Sequence, residues 1–259
     1  MEIKYYDIGV NLFCRQFKEP DKIINNAMKE GVRCILTGSD MNVNRLVDKY
    51  TRNHSCYGTA GIHPHNADRF SDEDIVKLES IITGNLDIVA VGECGLDYDR
   101  MFSSKENQLN CFRKQIRLAR KLGKPMFLHE RSAFEDMTAC FEDQKEICRR
   151  SVIHCFTGGV NEIRRYLDMG FYIGITGWIC DNRRAEALRI AVKELPLEKL
   201  LIETDAPYLT PRGIKGLGNI NVPENIKYVT KALSVYMNKN EEEIISNARK
   251  NTERLFLLK

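Results

Sequence analysis

Along this chain, short aliphatic or β-branched runs alternate with segments whose apolar positions recur every three or four residues, with a few polar residues between them. Eight such runs fall at 5–11, 34–37, 58–63, 88–93, 126–129, 152–155, 171–175 and 200–203. Runs this short and this apolar suit strands covered on both faces, and their alternation with helical spacing predicts βα units around a parallel sheet. The sixth, Ser-Val-Ile-His-Cys-Phe, is weakened by polar residues at its end. The clearest helix is expected over about 104–122, with Leu109, Phe112, Ile116 and Ala119 on one face. A Ser103…Glu106 capping box precedes it, and Gly123 and Pro125 follow it. A second helix is expected over 72–82, with Ser71 as N-cap and Ile75, Leu78 and Ile82 on its apolar side. Weaker helical patterns cover 21–29, 159–169, 184–195, 222–237 and 241–256.

No stretch rich in Pro, Ser or Gly divides the chain, so residues 1–259 are expected to form a single (β/α)8 TIM barrel domain. A doubly wound open sheet can also hold eight parallel strands, but no Gly-x-Gly-x-x-Gly follows the first run. Composition narrows the class without choosing the chemistry: 43% hydrophobic and 29% charged residues exclude collagen, coiled coil and disorder. With 39 Lys plus Arg against 36 Asp plus Glu, the net charge of +3 is too small to attract polyanions globally, so nucleic-acid binding would need local basic clusters. The nine cysteines form no CxxC pair and are odd in number, which fits reduced thiols and predicts a cytoplasmic protein. The N-terminal residues show no signal-peptide pattern, and no apolar run approaches the roughly 18 residues a membrane helix needs, so no membrane association is expected.

Chemistry in a parallel barrel belongs where strands end. Four of the five histidines, His63, His65, His129 and His154, lie at or just after a predicted strand end, and His54 alone falls elsewhere. Carboxylates occupy equivalent places: Asp7 on the first strand, Glu93 on the fourth, Glu203 and Asp205 on the eighth. Each residue alone reads equally well as a satisfied polar group or a turn; their joint placement describes a divalent metal site. Basic residues share the rim, with Arg131 after strand five, Arg183 and Arg184 after strand seven, and Arg212 with Lys215 after strand eight. There they can meet a nucleic-acid backbone. Trp178 and Tyr208 follow strands seven and eight, where they can either stack on unpaired bases or pack against the rim.

Seven blocks, in order, carry a family resemblance: Asp7-Ile8-Gly9-Val10-Asn11-Leu12, Ala60-Gly61-Ile62-His63-Pro64-His65, Val91-Gly92-Glu93-Cys94-Gly95-Leu96-Asp97, Phe127-Leu128-His129, His154-Cys155-Phe156-Thr157-Gly158, Ile173-Gly174-Ile175-Thr176-Gly177-Trp178, and Leu201 through Leu209. Over nearly its whole length the chain resembles the TatD-type metal-dependent deoxyribonucleases of the amidohydrolase superfamily. The resemblance implies a (β/α)8 barrel that hydrolyses phosphodiester bonds with a divalent cation, as a 3′-5′ exonuclease on single-stranded DNA, with RNA as a further candidate substrate. It further implies Glu93, His129 and His154 as metal ligands, and Asp205 as the acid that contacts metal and water. His63, with His65, would stand beside the scissile phosphate as hydrogen-bond donor or acid. The wider family opens with Asp-x-His-x-His, whereas here Gly9 and Asn11 stand where the histidines would be, which weakens a second metal position. The named TatD subgroup shares this opening. A second departure is Glu130, where Cys is commoner after the strand-five His.

Imidazole donors suit Zn, Mn or Fe and carboxylate suits Mg, so the donors alone do not select the ion; Mg or Mn is expected, with Zn as the alternative. The expected state is a monomer. Two other readings remain open on the residues alone. One is a metal-dependent hydrolase of a small-molecule amide, ester or lactone, although such relatives often carry a modified Lys where this chain has Glu93. The other is a non-catalytic nucleic-acid-binding module. The sequence does not choose between repair and degradation.

Overall fold

The computed structural model describes residues 2–258. Its eight strands are parallel and follow chain order in the sheet, β1 through β8: β1 Tyr5–Val10, β2 Val32–Leu36, β3 Tyr57–Ala60, β4 Ile88–Asp97, β5 Met126–Arg131, β6 Ser151–Ile153, β7 Tyr172–Ile175 and β8 Leu200–Ile202. Every strand sits on an expected run, and the described α-helices lie between and after them in chain order, α1 Pro20–Lys29, α2 Met41–Thr51, α3 Asp72–Gly84, α4 Lys105–Leu122, α5 Phe134–Ala139, α6 Lys145–Cys148, α7 Val160–Met169, α8 Glu186–Ala191, α9 Ile226–Met237 and α10 Glu241–Phe256, so the architecture is a (β/α)8 barrel. A doubly wound sheet would reverse its strand order at a switch point, and this order never reverses.

Of the described residues, one compact unit holds those up to Leu36, Cys155–Asp168 and those from Tyr172 onward; the other holds Thr37–His154 and Met169–Phe171. In the first unit β1 pairs with β2 and β7 with β8, and Val10 bridges Ala206 just past β8. Helices α9 (Ile226–Met237) and α10 (Glu241–Phe256) pack on this half-sheet. Buried Asn251 of α10 donates to the carbonyls of Leu197 (2.7 Å) and Leu200 (2.9 Å), which fixes the entry to β8.

In the second unit β3, β4, β5 and β6 pair in succession. Helix α3 (Asp72–Gly84) starts at the expected N-cap, Ser71, which forms a capping box with Asp74. Helix α4 (Lys105–Leu122) is capped by Ser104, not Ser103, because the Ser103 hydroxyl is already engaged, donating to the His65 carbonyl at 3.0 Å. Helix α2 (Met41–Thr51) has no counterpart among the sequence expectations. Its inward face includes buried Asn44 and Thr51, so polar residues mask the 3.6-residue period.

Those masked positions work on the backbone. Asn44 clamps Gly61, accepting its N–H at 3.2 Å and donating to its carbonyl at 2.8 Å. Gln115 of α4 does the same to Ile62 (2.8 and 3.0 Å), and Gln108 to Asp97 (2.8 and 3.0 Å). All three amides are fully buried. Their hydrogen bonds hold Gly61 and Ile62, which lead from β3 into His63, and Asp97, the last residue of β4. Leaving such a buried pair unmet costs about 1–3 kcal/mol per group.

Candidate active site

Strand β4 is buried throughout and carries Glu93 between two glycines with positive φ, Gly92 (+143°) and Gly95 (+147°). A Cβ at Gly92 would run into the Phe127 carbonyl, and one at Gly95 into that of His129. The missing side chains let β4 lie close against β5, which brings Glu93 and His129 together.

Three imidazoles converge on one buried oxygen. Glu93 Oε1 lies 2.9 Å from His154 Nε2, 3.1 Å from His129 Nδ1 and 3.3 Å from His63 Nε2. His63 Nδ1 accepts the backbone N–H of His65 (3.1 Å), so a neutral His63 carries its proton on Nε2, facing Glu93. The His154 ring rests against Phe127, with centroids 4.4 Å apart. Burial alone would raise the Glu93 pKa, but electrostatic attraction to the His63 and His154 imidazoles and the hydrogen bonds from His129 and His154 hold it well below the ordinary carboxylate range. Burial drives His63 the other way, down to about 4.

A second acid completes the cluster. Asp97 Oδ2 lies 2.7 Å from His65 Nε2 and 3.2 Å from His129 Nε2, while its Oδ1 accepts the N–H groups of Asp99 (3.1 Å) and Arg100 (2.8 Å). Burial opposes ionisation here too, and hydrogen bonds from His129 and His65 overcome it. His129 therefore spans two carboxylates, which raises its own pKa despite burial.

This donor set fits a divalent cation. Ligand atoms of His63, Glu93 and His129 all lie within 4.8 Å of one another, about twice a metal–ligand bond length, and His154 shares the same Glu93 oxygen.

The first unit holds its own acids. Asp205, just past β8 at φ +55°, accepts at Oδ1 from the Asn11 amide (2.8 Å). Asn11 thus orients an acid at the position where the wider family has a histidine. Fully buried Asp7 accepts the N–H of Thr204 (2.9 Å) and of Gly9 (3.3 Å) at Oδ1, and its Oδ2 meets the Thr204 hydroxyl at 2.5 Å. Burial pushes the Asp7 carboxyl up to about 8. Glu203 accepts the Cys155 N–H at 2.5 Å.

Arginines of this unit gather on one buried acid that sequence reasoning missed. Asp181 takes a bidentate bond from Arg183 (2.8 and 2.9 Å), and Arg184 (3.2 Å) and Arg212 (3.4 Å) share its Oδ2. Three guanidiniums against one carboxylate leave two positive charges beside a cleft of about 350 Å³ that Trp178, Arg184, Leu209 and Arg212 help to line. The Arg184 guanidinium lies 4.1 Å from the Trp178 ring centroid, covering one face of the indole. In the second unit Arg131 Nε is 3.8 Å from Asp99, and Glu130 turns back to accept the Ala133 N–H at 2.8 Å. His54, the outlying histidine, stacks on Tyr50 with centroids 3.7 Å apart.

The second unit thus brings together five sequence candidates, Glu93, His63, His65, His129 and His154, and adds Asp97. The signal for Asp97 lay in the Gly95-Leu96-Asp97 block; that for Asp181 lay in the run Asp181-Asn182-Arg183-Arg184.

Comparison with known proteins follows the same lines. The family model "TatD related DNase" matches residues 6–257. The 3′-5′ ssDNA/RNA exonuclease TatD of Citrobacter koseri is 36% identical over 256 residues, spanning 97% of this chain and 98% of its own. Among solved structures, a TatD homologue from Escherichia coli K12 superposes with a TM-score of 0.90 at 26% identity, covering 100% of both chains. A TatD family hydrolase from Entamoeba histolytica gives 0.88 at 25% identity, again over 100% of both.

Proposed function

The chain belongs to the TatD-related DNase family, and from that premise we propose that it is a metal-dependent hydrolase that removes nucleotides from the 3′ end of single-stranded DNA and RNA. The observation that carries this reading is the single Glu93 oxygen within 3.3 Å of three imidazole nitrogens. Glu93, His129 and His154 would hold the cation, and His63 Nε2 lies 3.3 Å from the same Glu93 oxygen. When bound there, a divalent ion neutralises charge on the phosphoryl oxygens and lowers the pKa of a water. Mg or Mn is the expected cation and Zn the alternative, since the carboxylate suits the former and the imidazoles the latter.

The chain's own residues supply the rest. Glu93, kept ionised, contributes the negative charge of the binding set. Asp97 fixes the His129 ring from its far nitrogen, so the nitrogen facing Glu93 keeps its direction. His63 offers an Nε2–H to a phosphoryl oxygen, and with a pKa of about 4 it does so as a neutral donor at pH 7. By family motif Asp205 orients or deprotonates the attacking water, with Asn11 holding one of its oxygens. The Arg183–Arg184–Arg212 group and Arg131 suit a phosphate backbone better than a neutral amide or lactone. We place residues 1–259 together as one catalytic domain, monomeric and cytoplasmic. All nine cysteines are thiols, and no helix among the described residues is long and apolar enough to cross a membrane.

The test uses chelator-treated protein with 3′- and 5′-labelled single strands, a duplex control and a metal panel. The expected result is metal-dependent shortening from the 3′ end, restored by Mg or Mn, with slower loss from duplex. Turnover of a lactone or amide with no nucleotide release under any metal would overturn the reading, and recovery with Zn alone would overturn the metal assignment.

Asn11→Ala is expected to lower kcat about tenfold, as loss of an orienting partner does, with Tm and metal affinity unchanged. A metal affinity that falls instead would make Asn11 part of the binding set.

A further inference from the structure

The loop from β4 to α4 displays a phenyl ring to solvent beside the histidine cluster. Phe102 is 65% exposed, and its neighbour Met101, at φ +50°, is 48% exposed. Large apolar groups on a mobile loop can be exposed by default, but this loop is tied at both ends. Asp97 holds the N–H groups of Asp99 and Arg100 at its start. At its end the Ser103 hydroxyl binds the His65 carbonyl (3.0 Å) and the Asp68 N–H (3.1 Å), Gln108 donates to the Ser103 carbonyl (2.9 Å), and the Ser104 N–H donates to Asp68 (2.9 Å). The backbone is thus fixed on either side of a side chain that remains uncovered.

The ring meets His65 edge to face, with centroids 4.8 Å apart and planes at 78°. His65 lies 4.2 Å from His63, centroid to centroid, and its Nε2 shares the Asp97 oxygen with His129. Phe102 is therefore one ring away from the group that holds the Glu93 oxygen. Arg100, two residues before it in the same loop, and Arg131 at the end of β5 both approach Asp99, at 3.9 and 3.8 Å. An exposed aromatic ring packed beside a histidine of the cluster, on a loop that also carries Arg100, matches a ligand with a flat apolar surface and an anionic backbone.

Resting on the nuclease reading, we propose that Phe102 is a stacking platform for an unpaired base flanking the bond to be cut. A paired base keeps its faces inside the duplex stack, so the platform favours single strands. Stacking acts on the position of the strand and leaves the hydrolytic groups unchanged, so its loss appears in KM.

The test compares wild type, Phe102→Ala and Phe102→Trp on single strands ending either in normal nucleotides or in two abasic 3′ residues, with the cation found to support activity. Phe102→Ala is expected to raise KM for the normal end by roughly 5- to 150-fold, the range of one base–aromatic stack. Its kcat should stay within about twofold, and Phe102→Trp should restore KM. On the abasic end all three proteins should share one KM. A fall in kcat on both ends with KM unchanged would show that the ring only props His65, and equal KM for wild type and Phe102→Ala on the normal end would also overturn the proposal. Release of no nucleotide by wild type under any metal would instead remove the nuclease reading, and the stacking role with it.

Discussion

Replacing Glu93 by alanine or glutamine is expected to abolish metal-dependent nucleotide release and to weaken divalent-ion binding in the same protein. The carboxylate is the shared partner of His63, His129 and His154, and among the described residues it is the one acid in the set of ligand atoms that lie within 4.8 Å of one another. Glutamine matches its shape but carries no charge and turns an amide donor toward three ring nitrogens. Losing the Lewis acid removes several kcal/mol of transition-state stabilisation, so a fall in kcat/KM on the order of 10³-fold or more is expected. Titration calorimetry with Mn, beside the activity assay, checks both halves. Full metal affinity in Glu93→Gln would take Glu93 out of the binding set, whatever happened to the rate.

The second large effect concerns stability and lies at Asp7. Its carboxyl has a pKa of about 8 in the folded chain against an ordinary value of 3.8, because burial disfavours the anion. Between those values the folded protein keeps a proton that the unfolded chain has released. The stabilising contribution is therefore fully present below about pH 4, declines as pH rises, and is gone above about pH 8, at about 1.4 kcal/mol per pH unit. In the Asp7→Asn variant the side chain would mimic the protonated acid, its carbonyl accepting from the N–H groups of Thr204 and Gly9 and its amide donating to the Thr204 hydroxyl. Asp7→Asn is expected to match wild type below about pH 4, to exceed it by roughly 2 kcal/mol at pH 5 and by roughly 5 kcal/mol at pH 8. Urea unfolding at pH 5, 6.5 and 8 in chelator-treated samples reads the difference directly. Parallel pH profiles for the two proteins would mean that Asp7 is ionised in the folded state.

Much of the fold and of the site is legible in the residues alone. Eight apolar runs located eight strands because a strand buried on both faces has little room for polar residues. Strand-end placement singled out His63, His65, His129, His154 and Glu93, because parallel strands present their C-terminal ends together. The wrong cap at α4 and the unseen α2 have one cause. Ser103, Asn44 and Thr51 spend their polar groups on distant or buried partners, and a local pattern registers only the polarity.

By itself, the sequence determined the βα repetition, the family blocks and which histidines and acids face the chemistry, because these depend on local spacing and residue type. Tertiary structure alone decided who holds whom. It placed three imidazoles on one oxygen of Glu93, spanned His129 between Glu93 and Asp97, tied Asn11 to Asp205 across 194 residues, and gathered three arginines on Asp181. It also left Phe102 uncovered on a loop whose ends are fixed. Hydrogen bonds and ion pairs between distant residues leave no periodicity in a sequence, since their geometry exists only once the strands have paired and the helices have packed.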